Sequence, residues 1–214
     1  LSYSGPSLSL GASTLSLSGG GTFANTNSLV LDNAASKLQL SSITVESVST
    51  SVDSSLGIEV ENDSTINSFS IANITPVSIA ADKILLGSIG VTAGSIKLTD
   101  TGTLASTVMM SGETTFDTDN SLTVSGALTQ SGDITIDVLG AHTLTYTGPP
   151  ISLGSNTLSI DGAGTLNNAS GSPLVLDQTD SILDFRGTGI VTGPVNLESG
   201  TLKSSGSPTI SGAL

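Results

Sequence analysis

Cysteine and tryptophan are absent from this 214-residue chain, and Lys and Arg together number only 5. Without cysteine the chain has neither a disulfide nor a thiolate metal site. The 18 Asp and Glu residues give a formal net charge of −13. Since nucleic-acid binding needs clustered Lys and Arg, nucleic acid is not expected as a partner. No apolar run approaches the ~18 residues of a membrane-spanning helix, so no membrane span is expected either.

Helical periodicity is also scarce, and a two-residue alternation takes its place. Hydrophobic residues make up 36% of the chain and recur at positions i and i+2, with Ser and Thr between them. Leu15 with Leu17 and Leu38 with Leu40 are examples. Gly, Asn, Asp, Ser and Pro separate these short segments, as expected of turns. The pattern predicts an all-β protein built from many short strands.

The chain also repeats itself over a long distance. Residues 144–168 repeat residues 1–25 at an offset of 143. Residues 174–177 then repeat residues 29–32 at an offset of 145, so the second copy has a slightly longer turn without loss of the next strand. Repetition on this scale indicates a repeat architecture. The predicted organisation is one continuous solenoid with a long super-repeat, 1–143, and the start of a second, 144–214.

The spacing of the alternating segments predicts the fold. Leu29 follows Leu8 at an offset of 21, and Leu38 follows Leu15 at an offset of 23. Each interval holds three strand-sized segments, which is what one coil of a three-sided parallel β-solenoid needs. At roughly 21–23 residues per coil the chain makes roughly ten coils, a rod of ~48 Å at the ~4.8 Å strand spacing. The apolar spacing is least regular from Val45 to Leu86.

A row of immunoglobulin-like sandwiches is the main alternative fold. Such sandwiches usually bury a large aromatic residue between two sheets and repeat at about 100 residues. Aromatic residues are only 3% of this chain, and its long repeat has a different length. The narrow interior of a solenoid accepts stacked Leu, Ile and Val, so the solenoid is the predicted fold.

Several segments resemble the repeats of bacterial surface proteins. The segments GSNTLSIDGAGTL, SLTVSGALTQSGDITI and PVNLESGTLKSSGSPTISGAL share short G-x-L-x-L-x-G strands and SGTL-type turns. In these features the chain resembles the passenger repeats of bacterial autotransporters and filamentous haemagglutinin-like adhesins. The resemblance implies a right-handed parallel β-helix that is secreted to the cell surface and acts in adhesion, aggregation or an extracellular fibre.

Paired carboxylates are the candidate catalytic groups, because β-helix enzymes that cleave polysaccharides place acids on one face of adjacent coils. The candidates are Asp117 with Asp119, Asp133 with Asp137, and Asp177 with Asp180 and Asp184. Asp is also a common turn residue, and Asp32 and Asp177 occupy matching positions of the repeat. We therefore expect no enzymatic activity. Asp stacked on one face would favour an enzyme or metal site, and Asp scattered over corners would favour a scaffold.

Calcium is the one cofactor that the acidic turns favour, since carboxylate and amide oxygens suit a hard cation. The best cluster is residues 117–120, with Asp117, Asp119 and Asn120 as candidate ligands. Neither an EF-hand loop nor a G-G-x-G-x-D repeat accompanies it. His142 is the single histidine, and its place in a turn beside Leu144 predicts a structural or solvent-exposed side chain and not a catalytic base.

Together these features predict a structural protein, a segment of an extracellular or bacterial cell-surface fibre or adhesin. An uncapped solenoid exposes strand edges that template further pairing. Neither Leu1 nor Leu214 carries a polar cap, so end-to-end continuation with itself is expected. Host or neighbouring cell surfaces and glycans are the other expected partners. The alternatives are a carbohydrate-active β-helix enzyme and a glycan-binding passenger, which would need an exposed patch from Tyr3, Tyr146 and four Phe.

Overall fold

The computed structural model describes residues 1–169 and 171–212. Within these ranges every regular element is a β-strand, and the paired strands run parallel, one coil apart. The coils stack into a β-solenoid of about ten coils, with two or three strands in each. The predicted all-β parallel solenoid with about three strands per coil is confirmed, and its right-handed sense stays a prediction.

The solenoid has three faces, named A, B and C in the order in which each coil visits them. Face A is formed by β1 (Ser2–Tyr3), β4 (Thr22–Asn25), β7 (Thr44–Thr50), β9 (Ser64–Ile71), β11 (Ile84–Val91), β13 (Thr103–Leu104), β16 (Leu122–Val124), β19 (Thr143–Tyr146), β22 (Thr165–Asn168), β25 (Ile190–Thr192) and β28 (Thr209–Ile210). Each of the first ten of these strands opens a coil, so that β16 opens the seventh coil and β19 the eighth.

The other two faces follow within each coil. Face B is formed by β2 (Leu8–Ser9), β5 (Leu29–Leu31), β14 (Thr107–Met110), β17 (Leu128–Gln130), β20 (Ile151–Ser152), β23 (Leu174–Leu176) and β26 (Val195–Leu197). Face C is one ladder of β3 (Thr14–Ser18), β6 (Lys37–Ser41), β8 (Gly57–Val60), β10 (Thr75–Ile79), β12 (Gly94–Leu98), β15 (Thr114–Thr118), β18 (Ile134–Val138), β21 (Thr157–Gly162), β24 (Ile182–Phe185) and β27 (Thr201–Ser204).

In the third to fifth coils the strands of faces A and B merge. There β7, β9 and β11 are longer than the other strands of face A, and β7 and β11 pair with neighbours on both faces. The register between β11 and β9 shifts at Gly87, which has a φ of +120°. A Cβ on Gly87 would lie 1.8 Å from the Ile66 carbonyl oxygen, so only glycine fits this bend. The merger coincides with Val45–Leu86, where the apolar spacing of the sequence is least regular.

Coil length varies more than the sequence predicts. Leu8 pairs with Leu29, and β3 pairs with β6 so that Leu15 meets Leu38, as their spacing predicts. Elsewhere on face C the number of residues between register partners is smaller, as between residues 58 and 77, or larger, as between residues 160 and 185. The turns absorb these differences while the inward-facing residues stay in register. The predicted coil length is therefore the middle of a wider range.

The core is a continuous stack of aliphatic side chains between the faces. Alternate residues of each strand point inward, so that Leu38 and Leu40 of β6 lie on Ile58 and Val60 of β8, all fully buried. Burial of one such side chain contributes ~1.5–3 kcal/mol relative to exposure. Because a single coil could bury these residues only against its neighbours, stability depends on the stacking of coils.

Candidate functional site

Face C carries a column of aspartates on its outer surface. Asp137 of β18 lies between Asp117 of β15 and Asp161 of β21 in the parallel register. Lys97 of β12 is the partner of Asp117 on the preceding coil. Successive positions are one strand spacing apart, ~4.8 Å. Asp117, Asp137 and Asp161 are named the Asp column.

Cationic residues flank the Asp column. Lys97 Nζ lies 2.8 Å from Asp119 Oδ2, and this contact is the main cause that raises the pKa of Lys97. At the other side, Arg186 directly follows Phe185, the register partner of Ile160. Its Nε donates to Asp184 Oδ2 at 3.0 Å. The two cations are therefore held mainly by acids outside the column.

The Asp column places its carboxyls in an unfavourable environment. Partial burial raises the pKa of Asp117 and of Asp137, and neighbouring carboxylates raise both further, while Lys97 lowers them. The Oδ1 atoms of Asp117 and Asp137 are shielded from solvent and have no hydrogen-bond partner among the described residues. Since like charges stacked across strands are destabilising, the column works against folding at neutral pH.

The predicted calcium ligands are adjacent in the chain but have different partners. Asp119 is paired with Lys97, and Asn120 Nδ2 donates to the Thr99 carbonyl oxygen at 2.7 Å. Asp117 belongs to the Asp column. Over residues 1–169 and 171–212, no group of three or more His, Cys, Asp or Glu side chains could hold a metal ion. Calcium binding at these three residues stays a prediction.

The other candidate carboxylates are separated in the structure. Asp133 Oδ1 accepts a hydrogen bond from Thr157 N at 2.7 Å, between neighbouring coils. Asp184 lies on β24 beside Arg186, and Asp180 is exposed in the turn before that strand. Of the predicted acids, only Asp137 lies in one column with Asp117. Some of the candidate aspartates are therefore stacked on one face, and the others are scattered.

Asp161 completes the Asp column and was not predicted from the sequence. A short motif marks the column, because a Thr or Ser, then Phe or Ile, then Asp recurs at 115–117, 135–137 and 159–161. The second interval of the motif is longer than the first. A search at one fixed coil length therefore misses it, whereas the register of face C shows it directly.

The long repeat carries the same turn in both copies. Asp32 accepts hydrogen bonds from Ser9 Oγ and from Gly11 N, and these two contacts, in that order, lower the pKa of Asp32. The same two bonds recur at the repeat-related residues Asp177, Ser152 and Gly154. Both glycines have a φ of +53°, a conformation that favours glycine. Asp32 and Asp177 therefore anchor a structural turn.

A buried serine closes each of these turns. Ser36 Oγ donates to the Gly11 carbonyl oxygen at 2.6 Å and accepts from Asn33 N at 3.0 Å. Ser181 makes the equivalent pair of bonds in the second copy. Both serines are fully buried. Each bond to a glycine carbonyl joins one coil to the next.

His142 lies half-buried in the turn before β19. Its backbone N donates to the Leu139 carbonyl oxygen at 3.3 Å, and its own carbonyl oxygen accepts from Thr165 N at 2.8 Å. The backbone of His142 thus links two coils, which fits the predicted structural role.

The aromatic residues are placed inside the solenoid. Tyr146 and the four Phe residues are at most 5% exposed. Tyr3 is half-buried in the first coil. Since a glycan-binding passenger would need an exposed aromatic patch, this placement does not favour that alternative.

Among the described residues, the first and last strands of each face pair with a neighbour on one side. β1, β2 and β3 form one edge, and β26, β27 and β28 form the other. Leu15 and Leu17 of β3 and Leu202 of β27 are only partly buried, and Leu1 is 86% exposed.

Comparison of the chain with models of protein families, with curated proteins and with solved structures gave no match. In the part of the chain that the structure describes, no helix is long and apolar enough to cross a membrane. The fold itself defines the class: the chain is a β-solenoid repeat protein, built of parallel ladders on three faces.

Proposed function

We propose that the chain is a structural segment of an extracellular fibre or adhesin that extends by end-to-end pairing of its coils. The observation that carries this proposal is the continuous stack of about ten parallel coils, in which face C is one ladder of ten strands. Each coil added to such a stack forms ladder hydrogen bonds and buries apolar side chains of its neighbour.

Secretion to the bacterial cell surface is part of the same proposal. It is supported by the resemblance to adhesin passenger repeats, by the absence of cysteine and by an outer surface rich in Ser, Thr and Asp. The sides of the rod would then face host or neighbouring cell surfaces or glycans, while its ends form contacts with further coils.

The assembly state of the purified chain tests the proposal. Sedimentation at rising concentration, with negative-stain microscopy, should show rods longer than the ~48 Å of ten coils. Leu15→Lys should shorten the rods, because a lysine at an open edge keeps its charge in water only while no coil covers it. Thr135→Lys on the side of face C is the matched control. Rods of one length at every concentration would contradict the proposal.

A carbohydrate-active enzyme is the second candidate, and the Asp column favours it. Its positions are ~4.8 Å apart, near the ~5–5.5 Å between the carboxyls of retaining glycosidases. A raised pKa at Asp137 suits a proton donor. Incubation with a panel of polysaccharides, followed by measurement of new reducing ends, tests this candidate. Release that Asp137→Asn abolishes would support it, and no release would count against it.

A further inference from the structure

The two copies of the long repeat continue differently after their second coil. Residues 178–187 correspond to residues 33–42 at the offset of 145, with a buried Ser and a buried Leu at the same places. The next residues, 188–195, match residues 101–108, since both segments begin with Thr-Gly and end with Val. Residues 43–100 therefore have no counterpart in the second copy.

The strands of the structure support this alignment. β25 and β26 lie at the positions of β13 and β14, and β28 lies at the position of β16. The residues without a counterpart, 43–100, hold β7 to β12 and form the third to fifth coils, in which faces A and B merge. The first copy thus carries three whole coils, of a different architecture, that the second copy lacks.

Backbone hydrogen bonds on face A show how the coils are joined in the two copies. They run from Ile190 N to Gly164 O (2.9 Å), from Thr44 N to Gly21 O (3.0 Å) and from Thr103 N to Lys83 O (2.8 Å). Gly21 corresponds to Gly164, and Thr103 corresponds to Ile190. The second copy therefore joins directly the acceptor and the donor that residues 43–100 hold apart in the first copy.

The inward-facing residues agree with this reading. The second copy has the register pairs Leu166–Val191, Leu174–Val195 and Leu176–Leu197. The repeat-related pairs of the first copy are Phe23–Leu104, Leu29–Val108 and Leu31–Met110. All six of these residues are buried, but against residues 43–100 and not against each other. Direct contact between the second and sixth coils would bring apolar side chains of matching register together.

An asparagine bonds the following coil in both copies. Asn25 Nδ2 donates to Ser47 O at 2.7 Å, and its Oδ1 accepts from Ser47 N at 3.3 Å. The repeat-related Asn168 donates to Pro194 O at 2.9 Å, but proline has no N–H, and Asn168 Oδ1 has no partner among the described residues. Thr107 takes the position of Pro194 in the sixth coil and offers both backbone groups. Asn25 could therefore bond the sixth coil as well as it bonds the third.

The outer residues of face C differ between the copies in accordance with the coil that follows. Gln39 Nε2 donates to Glu59 Oε2 of the third coil at 2.6 Å. Asp184 takes the position of Gln39 in the second copy, and its register partner on the following coil is Lys203. Since like charges opposite each other are destabilising, Asp184 suits Lys203 and would not suit Glu59.

We propose that residues 43–100 are a three-coil module, inserted at a fixed junction of the solenoid that the second copy joins directly. Each coil contacts only its neighbours, so whole coils can be added without change elsewhere. The module lengthens the rod by three strand spacings, roughly 14 Å. It also supplies an outer surface that the second copy lacks, on which Leu56 is 46% and Ile74 45% exposed. This inference goes beyond the proposed fibre and does not depend on how rods join.

Disulfide closure across the junction tests the inference, because no native cysteine competes. Thr22 and Thr103 lie four strand spacings apart in the full chain, roughly 19 Å. Without residues 43–100 they should become register partners, as Thr165 and Ile190 are in the second copy. Mild oxidation of Thr22→Cys/Thr103→Cys should close a disulfide in the deletion variant and give at least ~10-fold less in the full chain. Thr165→Cys/Ile190→Cys in the full chain is the positive control.

A second deletion controls for folding. Removal of residues 43–110 places Ser111, before β15 of face C, directly after Ser42, so that one coil lacks faces A and B. Urea unfolding of the variant without residues 43–100 should stay cooperative, with a smaller m-value than the full chain because less surface is buried. The control should unfold at a clearly lower urea concentration. Equal midpoints for the two deletions would count against a fixed junction.

The reverse transfer tests the same junction in the second copy. Residues 43–100 inserted between Gly187 and Thr188 should separate the thiols of Thr165→Cys/Ile190→Cys and abolish closure, while the urea m-value rises. A deletion variant that fails to close its disulfide while the positive control closes would overturn the inference, and so would closure that persists after the transfer. The fibre proposal is tested separately, by the length of the rods.

Discussion

Single residues on face C set a stability that depends on pH. Asp137→Asn should stabilise the fold at pH 7 by roughly 0.5–1 kcal/mol, because it removes a carboxylate stacked between two others. The pKa of Asp137 is raised in the fold, so its stabilising contribution is present below the usual Asp pKa and is lost as pH rises through the folded pKa. Urea unfolding of the variant and the wild type at pH 7 and at about pH 3.5 measures the difference in their free energy of unfolding at each pH.

The gain from Asp137→Asn should shrink towards zero at the lower pH, where the wild-type carboxyl is protonated. Asp32 and Glu59 have lowered pKa values and lose their contributions as pH falls, but variant and wild type share this loss. Asp180→Asn, at an exposed turn residue, is the control and should stay within about 0.5 kcal/mol of wild type. A gain that persists at low pH would contradict the repulsion argument.

Thr118 places a hydroxyl in the core of face C. It is fully buried, and its Oγ1 has no hydrogen-bond partner among the described residues. Thr118→Val should raise the free energy of unfolding by about 1 kcal/mol, since it removes a buried polar group without changing shape. The partner position on the next coil is already Val138. Thr115→Val, on the outer surface, should change little, and destabilisation by Thr118→Val would show that the hydroxyl has a partner.

Much of the residue-level pattern could be predicted from alternation alone. Leu38 and Leu40 were predicted as neighbours on one side of a strand, and both are fully buried. The Asp column could not be predicted in full, because aligning Asp137 with Asp161 requires the longer step of that coil. The alternation of residue types predicts which side chains point into the core. The lengths of the turns determine which outward-facing side chains lie next to each other on neighbouring coils.

Turns are the elements that hold neighbouring coils together. Ser181→Ala should cost about 1–3 kcal/mol, because it leaves the Gly154 carbonyl oxygen and Gln178 N without this partner inside the protein. Ser36→Ala removes the repeat-related bonds and should cost a similar amount. The exposed Ser155→Ala is the control. Urea unfolding that shows no loss for either buried serine would contradict a structural role for this turn.

The strands were easier to predict than their boundaries. The step from Leu15 to Leu38 follows directly from the sequence and is confirmed. The merger of faces A and B in β7, β9 and β11 was not predicted, because the bend interrupts the alternation inside each strand and irregular spacing alone does not show which residues pair. Gly87 is the local signal, and its role becomes clear only from its contact with Ile66.

Charge acts on the whole molecule. A net charge of −13 makes the folded rod repel itself, and salt screens that repulsion. Raising ionic strength from about 0.01 M to about 1 M shortens the Debye length from about 30 Å to about 3 Å. The thermal midpoint should therefore rise with NaCl concentration, as measured by circular dichroism. A midpoint that falls would mean that the ion pairs of Lys37 and Lys97 outweigh the repulsion.

Electron microscopy of the native assembly, taken from its source, tests the central claim most directly. The claim is that stacked coils continue from unit to unit, so the account predicts a continuous fibre with an axial repeat of ~4.8 Å. Discrete short rods or compact particles in the native material would contradict it.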